Sequence, residues 1–237
     1  MGQQYVYGKN VVRQLLEEDK KIYEIILMDG FKDAKILNLL KGKKFPVKTM
    51  NRHKMDAKLD GNHQGIAALI DEYKMYTLEE VLADIPEGKT PLLLMLDGLE
   101  DPHNLGAIIR TAEAAGVHGI IIPKRRSASL NYTVGKTSAG ALEYMKVARV
   151  PNLAATLDEL KEKGMWVYGA DMDGEDIRSV NLDGAAILVI GSEGDGMSRI
   201  VREKCDFIVS LKMKGQINSL NASVAGGILM YEFAYKR

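Results

Sequence analysis

Pro91-Leu-Leu-Leu-Met-Leu-Asp97-Gly-Leu-Glu-Asp-Pro-His-Asn104-Leu-Gly106-Ala-Ile-Ile-Arg110-Thr-Ala-Glu-Ala-Ala-Gly116 passes from an unbroken apolar run, through a polar turn, into a segment of helical spacing. Residues 92–96 carry no alternation, so they read as a strand buried on both faces. Residues 105–115 read as a helix that covers one of those faces. The same alternation continues downstream. Strands are expected at 119–122, 145–150, 166–169, 187–190 and 207–211, with helices at 153–163, 198–204 and 220–235. Strand–helix alternation of this kind implies an α/β fold with a mainly parallel sheet covered on both sides.

Upstream of Pro91 the pattern is shorter. Val11, Val12, Leu15 and Leu16 have helical spacing after Gly8-Lys9-Asn10, with Asn10 placed to cap. Residues 22–28, 46–50 and 66–70 read as strands and 33–40 as a helix. Polar residues 71–76 form a connector, followed by a short helix at 78–82 and a turn at Pro86-Glu87-Gly88. The chain therefore divides into a small unit at 1–72, a linker with a short helix at 73–90, and a larger α/β unit at 91–237.

Composition removes several classes of function. No apolar run reaches the length of a membrane span, and no basic-then-apolar leader opens the chain. A single cysteine, Cys205, excludes a disulfide framework and a CxxC zinc site and fits a cytoplasmic protein. The four histidines, His53, His63, His103 and His118, lack metal-ligand spacing, so no metal is expected. Gly135-Lys136-Thr137 ends like a P-loop, but Leu130 stands where its first glycine belongs. Gly88-Lys89-Thr90 fails likewise at Ala83, and neither GxGxxG nor GxSxG occurs.

Lys+Arg and Asp+Glu are equal at 32 each, for a net charge of zero. The charge is divided unevenly: residues 1–75 sum to +4 and the remainder to −4. Lys41, Lys43, Lys44, Lys48, Arg52, Lys54 and Lys58 have only Asp56 as an acidic neighbour in that stretch. Such a basic stripe can track a phosphate backbone, with Lys43, Lys44, Lys48, Arg52 and Lys54 as its RNA-binding core. A second basic run, Lys124-Arg125-Arg126, lies in the larger unit.

Three segments of that unit each follow a strand and carry the polar residues available for chemistry. The first contains Asn104, in position to cap a helix, and Arg110 farther along it. The second is Leu188-Val-Ile-Gly191-Ser-Glu193-Gly194-Asp-Gly196-Met197, where glycines let backbone approach a ligand. The third runs from Leu211 through Met213, Ser219, Leu220 and Asn221 to a cluster of small residues opening the last helix. Either Ser219 or Asn221 would cap that helix, and one helix does not need both.

In this order the three segments resemble the motifs of the SpoU/TrmH family of RNA ribose 2′-O-methyltransferases, within the SPOUT superfamily. Tyr7-Gly8-Lys9-Asn10-Val11-Val12 and Asn62-His63-Gln64-Gly65-Ile66-Ala67 resemble flanks of the family's L30e-like RNA substrate-binding domain. The longer form is similar to the branch that methylates a guanosine in 23S ribosomal RNA. The resemblance implies a trefoil-knotted methyltransferase domain, S-adenosylmethionine as cofactor, RNA as substrate and a homodimer formed through the C-terminal domain. It implies Arg110, Asn104, Glu193, Ser219 and Asn221 as catalytic residues. Gly191, Gly196, Leu211, Met213 and Leu220 are implied to hold the cofactor. Lys212 stands where related chains often have proline. Alternative expectations are tRNA guanosine methylation, resistance-type ribosomal RNA methylation, or a silent RNA-binding assembly factor.

Overall fold

The computed structural model describes residues 2–59 and 61–236. The chain falls into two compact units, residues 1–74 and 75–237.

The N-terminal unit contains β1 (Gln3–Tyr7), α1 (Lys9–Glu17), β2 (Glu24–Met28), α2 (Ala34–Leu40), β3 (Val47–Met50), α3 (Arg52–Lys58) and β4 (Ile66–Asp71). Its sheet has the order β1-β4-β2-β3, with β4 antiparallel to β1 and β2, and β2 parallel to β3. Ile26, Met55, Leu59 and Ala67 form one core cluster. Sequence patterning misses β1 and α3, since β1 buries only Val6 and α3 only Met55. Asn10 does not cap α1. The helix starts at Lys9 after Gly8 with φ 100°, and the Lys9 amide donates to Gln64 Oε1 at 2.9 Å. The two N-terminal signature stretches therefore meet side by side.

The C-terminal unit contains α4 (Leu78–Leu82), β5 (Leu92–Asp97), α5 (Pro102–Ala114), β6 (Gly119–Pro123), α6 (Tyr132–Thr137), β7 (Val147–Val150) and α7 (Leu153–Glu162). It continues with β8 (Trp166–Asp176), β9 (Ala186–Gly191), α8 (Arg199–Lys204), β10 (Phe207–Ser210) and α9 (Ala222–Tyr235). The six strands are all parallel in the order β10-β8-β9-β5-β6-β7. Central β5 and β9 are buried almost throughout, as their unbroken apolar runs require. Because the strands are parallel, the loops after β5, β6, β9 and β10 emerge along one edge of the sheet. Asp97 pairs in register with Gly191 across that edge.

Two helix caps have consequences for the site: the one at α5 differs from the sequence reading, and the one at α9 decides between its two alternatives. Asp101 caps α5, accepting from His103 N at 3.0 Å, and Pro102 takes the first helical position. Asn104 is thereby released from capping and lies inside the first turn. At α9 the cap is Asn221, which accepts from Ser223 N at 3.0 Å and Val224 N at 3.3 Å. Ser219 is left exposed in the loop before it.

Candidate active site

The loop after β9 is closed on itself. Ser192 N donates to Gly196 O at 3.0 Å and Gly196 N to Ser192 O at 3.1 Å. Gly194 and Gly196 supply the positive φ angles, 95° and 67°, that such a tight return needs. Gly191 is required for space instead. A β-carbon there would stand 2.1 Å from the Gly196 carbonyl carbon and 2.2 Å from Met197 N.

This loop holds Glu193 against the other two segments. Glu193 Oε1 accepts from Asn104 Nδ2 at 3.1 Å, from Ala222 N at 3.2 Å and from Asn221 Nδ2. Asn221 Nδ2 also donates to Asn104 Oδ1 at 3.0 Å. Residues 89 and 117 positions away from Asn104 thus meet it in one hydrogen-bonded junction. Asn104 is 8% exposed, so its amide depends on these partners for satisfaction. Asp97 Oδ2 accepts from Ser198 N and Ser198 Oγ, both at 2.7 Å, tying the end of β5 to the start of α8.

A cleft of about 610 Å³ opens beside the junction. Gly191, Glu193, Gly196, Leu211, Met213, Ser219, Leu220 and Asn221 all line it. Ile190, Val209 and Leu229 add apolar lining, and Ser192, Asp195, Ser210 and Asn218 add polar lining. A concave cleft of this size with mixed apolar and polar lining suits a nucleoside-sized ligand. Asp171 and Met172, from the middle of β8, complete its wall. They escaped the sequence reading because β8 runs seven residues beyond its predicted end at Gly169. Arg202 of α8 fixes that extension by pairing with Asp171 Oδ2 and Asp173 Oδ2, both at 2.9 Å. A second cavity of about 570 Å³ shares Ser192, Glu193, Asp195 and Gly196 with the cleft and has Asn104 and Arg126 in its wall.

Arg110 stands apart from this assembly. It is exposed on α5, lines neither cavity and makes no ion pair among the described residues.

The sequence model of the SpoU rRNA Methylase family matches residues 91–231, the stretch that carries all three segments. The chain belongs to this family. A second model, for RNA 2′-O ribose methyltransferase substrate binding, matches residues 5–76 of this SpoU chain. The Bacillus subtilis (strain 168) protein YacO, named for the TrmH family of tRNA/rRNA methyltransferases, is 46% identical over 100% of this chain and 98% of its own. Among solved structures, the SpoU methyltransferase AviRb from Streptomyces viridochromogenes, in complex with AdoMet, has a TM-score of 0.64. It is 23% identical and covers 99% of this chain and 90% of its own. A TrmH-family structure from Porphyromonas gingivalis has a TM-score of 0.61 at 26% identity, covering 99% and 90%.

In the substrate-binding unit of this SpoU protein, tertiary structure revises the basic stripe. Asp56 is not its only acidic neighbour. Lys43 Nζ lies 2.6 Å from Asp19 Oδ1, Lys48 pairs with Glu24, and Arg52 Nε lies 3.6 Å from Asp56 Oδ2. Lys44 and Lys54 are exposed and make no ion pair among the described residues. The Lys48 ammonium, assisted by the Tyr5 hydroxyl, holds the Glu24 carboxyl below the usual glutamate range against the opposing effect of burial. His63, buried at 6% exposure, accepts from Gly65 N at Nδ1 and meets Asp56 through Nε2, fixing the turn before β4. Among the described residues no group of ligands could hold a metal, and no helix is long and apolar enough to cross a membrane.

Proposed function

We propose that this SpoU protein transfers a methyl group from S-adenosylmethionine to the ribose 2′-hydroxyl of a guanosine in 23S ribosomal RNA. The observation that carries this reading is the Asn104–Glu193–Asn221 junction at the rim of the cleft. It unites the three segments by contact of their polar side chains, which an inert scaffold has no need to do. The cofactor supplies a methyl group made electrophilic by its sulfonium. Gly191, Gly196, Leu211, Met213 and Leu220, which line the cleft, would hold it. The junction fixes the two loops that surround it, and Ser219, exposed beside Asn221, contacts the incoming RNA.

Methyl transfer needs the attacking oxygen in line and its developing charge stabilised. Arg110 supplies that stabilisation. Its guanidinium stays protonated, so it acts electrostatically while the hydroxyl proton passes to an RNA phosphate or to solvent. Since Arg110 lies outside the cleft of its own chain, it serves a second protomer in a homodimer formed through the C-terminal unit. Support comes from α9, which is apolar on more than one side. Leu229, Met230 and Phe233 face inward, while Val224, Ile228, Tyr231 and Tyr235 form an exposed stripe. Ala107 and Thr111 of α5 border the same groove, flanking Arg110 in sequence. The reading includes a trefoil knot in the methyltransferase unit and a cytoplasmic site of action. The preference for a ribosomal substrate over tRNA rests on the resemblance of the N-terminal stretches to the ribosomal branch, and the full polar junction argues against a silent assembly factor.

Mapping ribose methylation across the RNAs of cells lacking this protein tests the proposal. Loss of one 2′-O-methylguanosine from 23S RNA is expected. A complete set of ribosomal methylations, or a loss confined to tRNA, would overturn it.

A further inference from the structure

The second cavity, about 570 Å³, is unusual in its charges. Asp97, Glu100, Asp101, Glu193 and Asp195 line it, and Arg126 is its one basic wall residue. Arg126 belongs to the run Lys124-Arg125-Arg126, exposed directly after β6 on the edge of the sheet that carries the cofactor cleft. Unlike Lys43, Lys48 and Arg52 of the N-terminal stripe, none of these three cations makes an ion pair with a described residue. Their loop is nonetheless fixed at both ends. Lys124 N donates to Val150 O at 2.9 Å, Ser127 Oγ to Pro123 O at 2.7 Å, and Ala128 N to Leu99 O at 2.8 Å.

Three unpaired cations on an anchored loop cost nothing to release from internal partners and little to order, which is what a phosphate contact requires. The carboxylates inside the cavity repel phosphate from its interior and leave it to an uncharged sugar or base. Charge therefore sorts the nucleotide: backbone outside on the basic loop, nucleoside inward, next to the wall shared with the cofactor cleft.

We propose that Lys124, Arg125 and Arg126 bind the RNA backbone next to the methylated nucleotide, a contact made by the methyltransferase unit independently of the N-terminal unit. The proposal rests on the ribose-methylation reading above and assigns where the RNA strand crosses the catalytic unit. These residues bind and position RNA and take no part in the transfer itself.

The test uses the full chain, a 23S RNA transcript and the combined variant Lys124→Ala, Arg125→Ala, Arg126→Ala. The slope of log affinity against log salt should fall by about 2 to 3, and affinity near physiological salt by roughly tenfold or more. KM for RNA should rise with kcat largely retained, and S-adenosylmethionine affinity should stay at the wild-type value. The exchanges Lys124→Arg, Arg125→Lys, Arg126→Lys should restore the slope, and Lys89→Ala, ahead of β5, should not change it. An unchanged slope and KM in the alanine variant overturns the proposal. If that variant loses cofactor binding through misfolding, Arg125→Ala alone decides, by a slope change of about 1 or none. Wild-type protein that methylates no RNA would defeat the reading above, while the salt slope would still decide whether this loop binds RNA.

Discussion

Replacing Glu193 with alanine removes a single oxygen that three donors share: Asn104 Nδ2, Asn221 Nδ2 and Ala222 N. The three are unequal in what they lose. Asn221 lies at an exposed position and recovers water, so its loss adds little. Asn104 is 8% exposed and is left with a buried donor lacking its acceptor. That carries a cost of about 1–3 kcal/mol. For a unit spanning residues 75–237 this lowers Tm by roughly 2–12 °C. Glu193→Gln keeps an acceptor oxygen in place and loses only the charge, so its Tm should lie between alanine and wild type. The same order should hold for cofactor affinity, because the junction fixes both loops that line the cleft. Thermal unfolding followed by circular dichroism, with cofactor titration by calorimetry, measures both. An alanine variant with wild-type Tm and wild-type cofactor affinity would refute the claim that this junction holds the site together.

Arg110→Ala should abolish methyl transfer while cofactor binding survives, and near-normal turnover by that variant would remove Arg110 from the mechanism. Gly191→Ala forces the 192–196 turn to move, since its β-carbon would stand 2.1 Å from Gly196. Turnover should fall about a hundredfold, as for an ångström-scale misplacement, and unaltered kinetics would show that the turn yields freely. Glu24 has a depressed carboxyl pKa, caused first by the Lys48 hydrogen bond. The stability it adds is present above the ordinary glutamate value of about 4.3 and is lost as pH falls through the lower folded value. Glu24→Gln should flatten this acid limb in the N-terminal unit's unfolding, and an unchanged limb would contradict the assignment. Because Lys43 and Lys48 are already paired, Lys44→Ala should lower the salt slope of RNA binding more than either alone. Equal slopes for all three would show that the ion pairs open on binding.

The large sheet was readable because its central strands are hydrophobic without interruption, as in 92–96 and 187–190. In the smaller unit β1 and α3 bury one residue each and leave no periodic trace, whereas α1 and β4, which bury several, were readable. At α5, Asn104 looked like a cap because both Asp101 and Asn104 are good capping residues. The Pro102 that follows Asp101 decides between them, since proline is suited to the first helical position. The segments of the site could be found from their glycines and polar residues. That Asn104, Glu193 and Asn221 touch could not be read, because contact between residues about a hundred positions apart is set by strand order. The same limit applied to the basic stripe: Asp19 and Glu24 neutralise part of it from outside its own stretch.

The central claim is ribose methylation at the cleft formed by the three segments. Incubating the purified protein with methyl-labelled S-adenosylmethionine and unmodified 23S RNA, then digesting to nucleosides, tests it most directly. The label should appear as 2′-O-methylguanosine and vanish with Arg110→Ala. Label on a base, or none in RNA despite bound cofactor, would contradict the account.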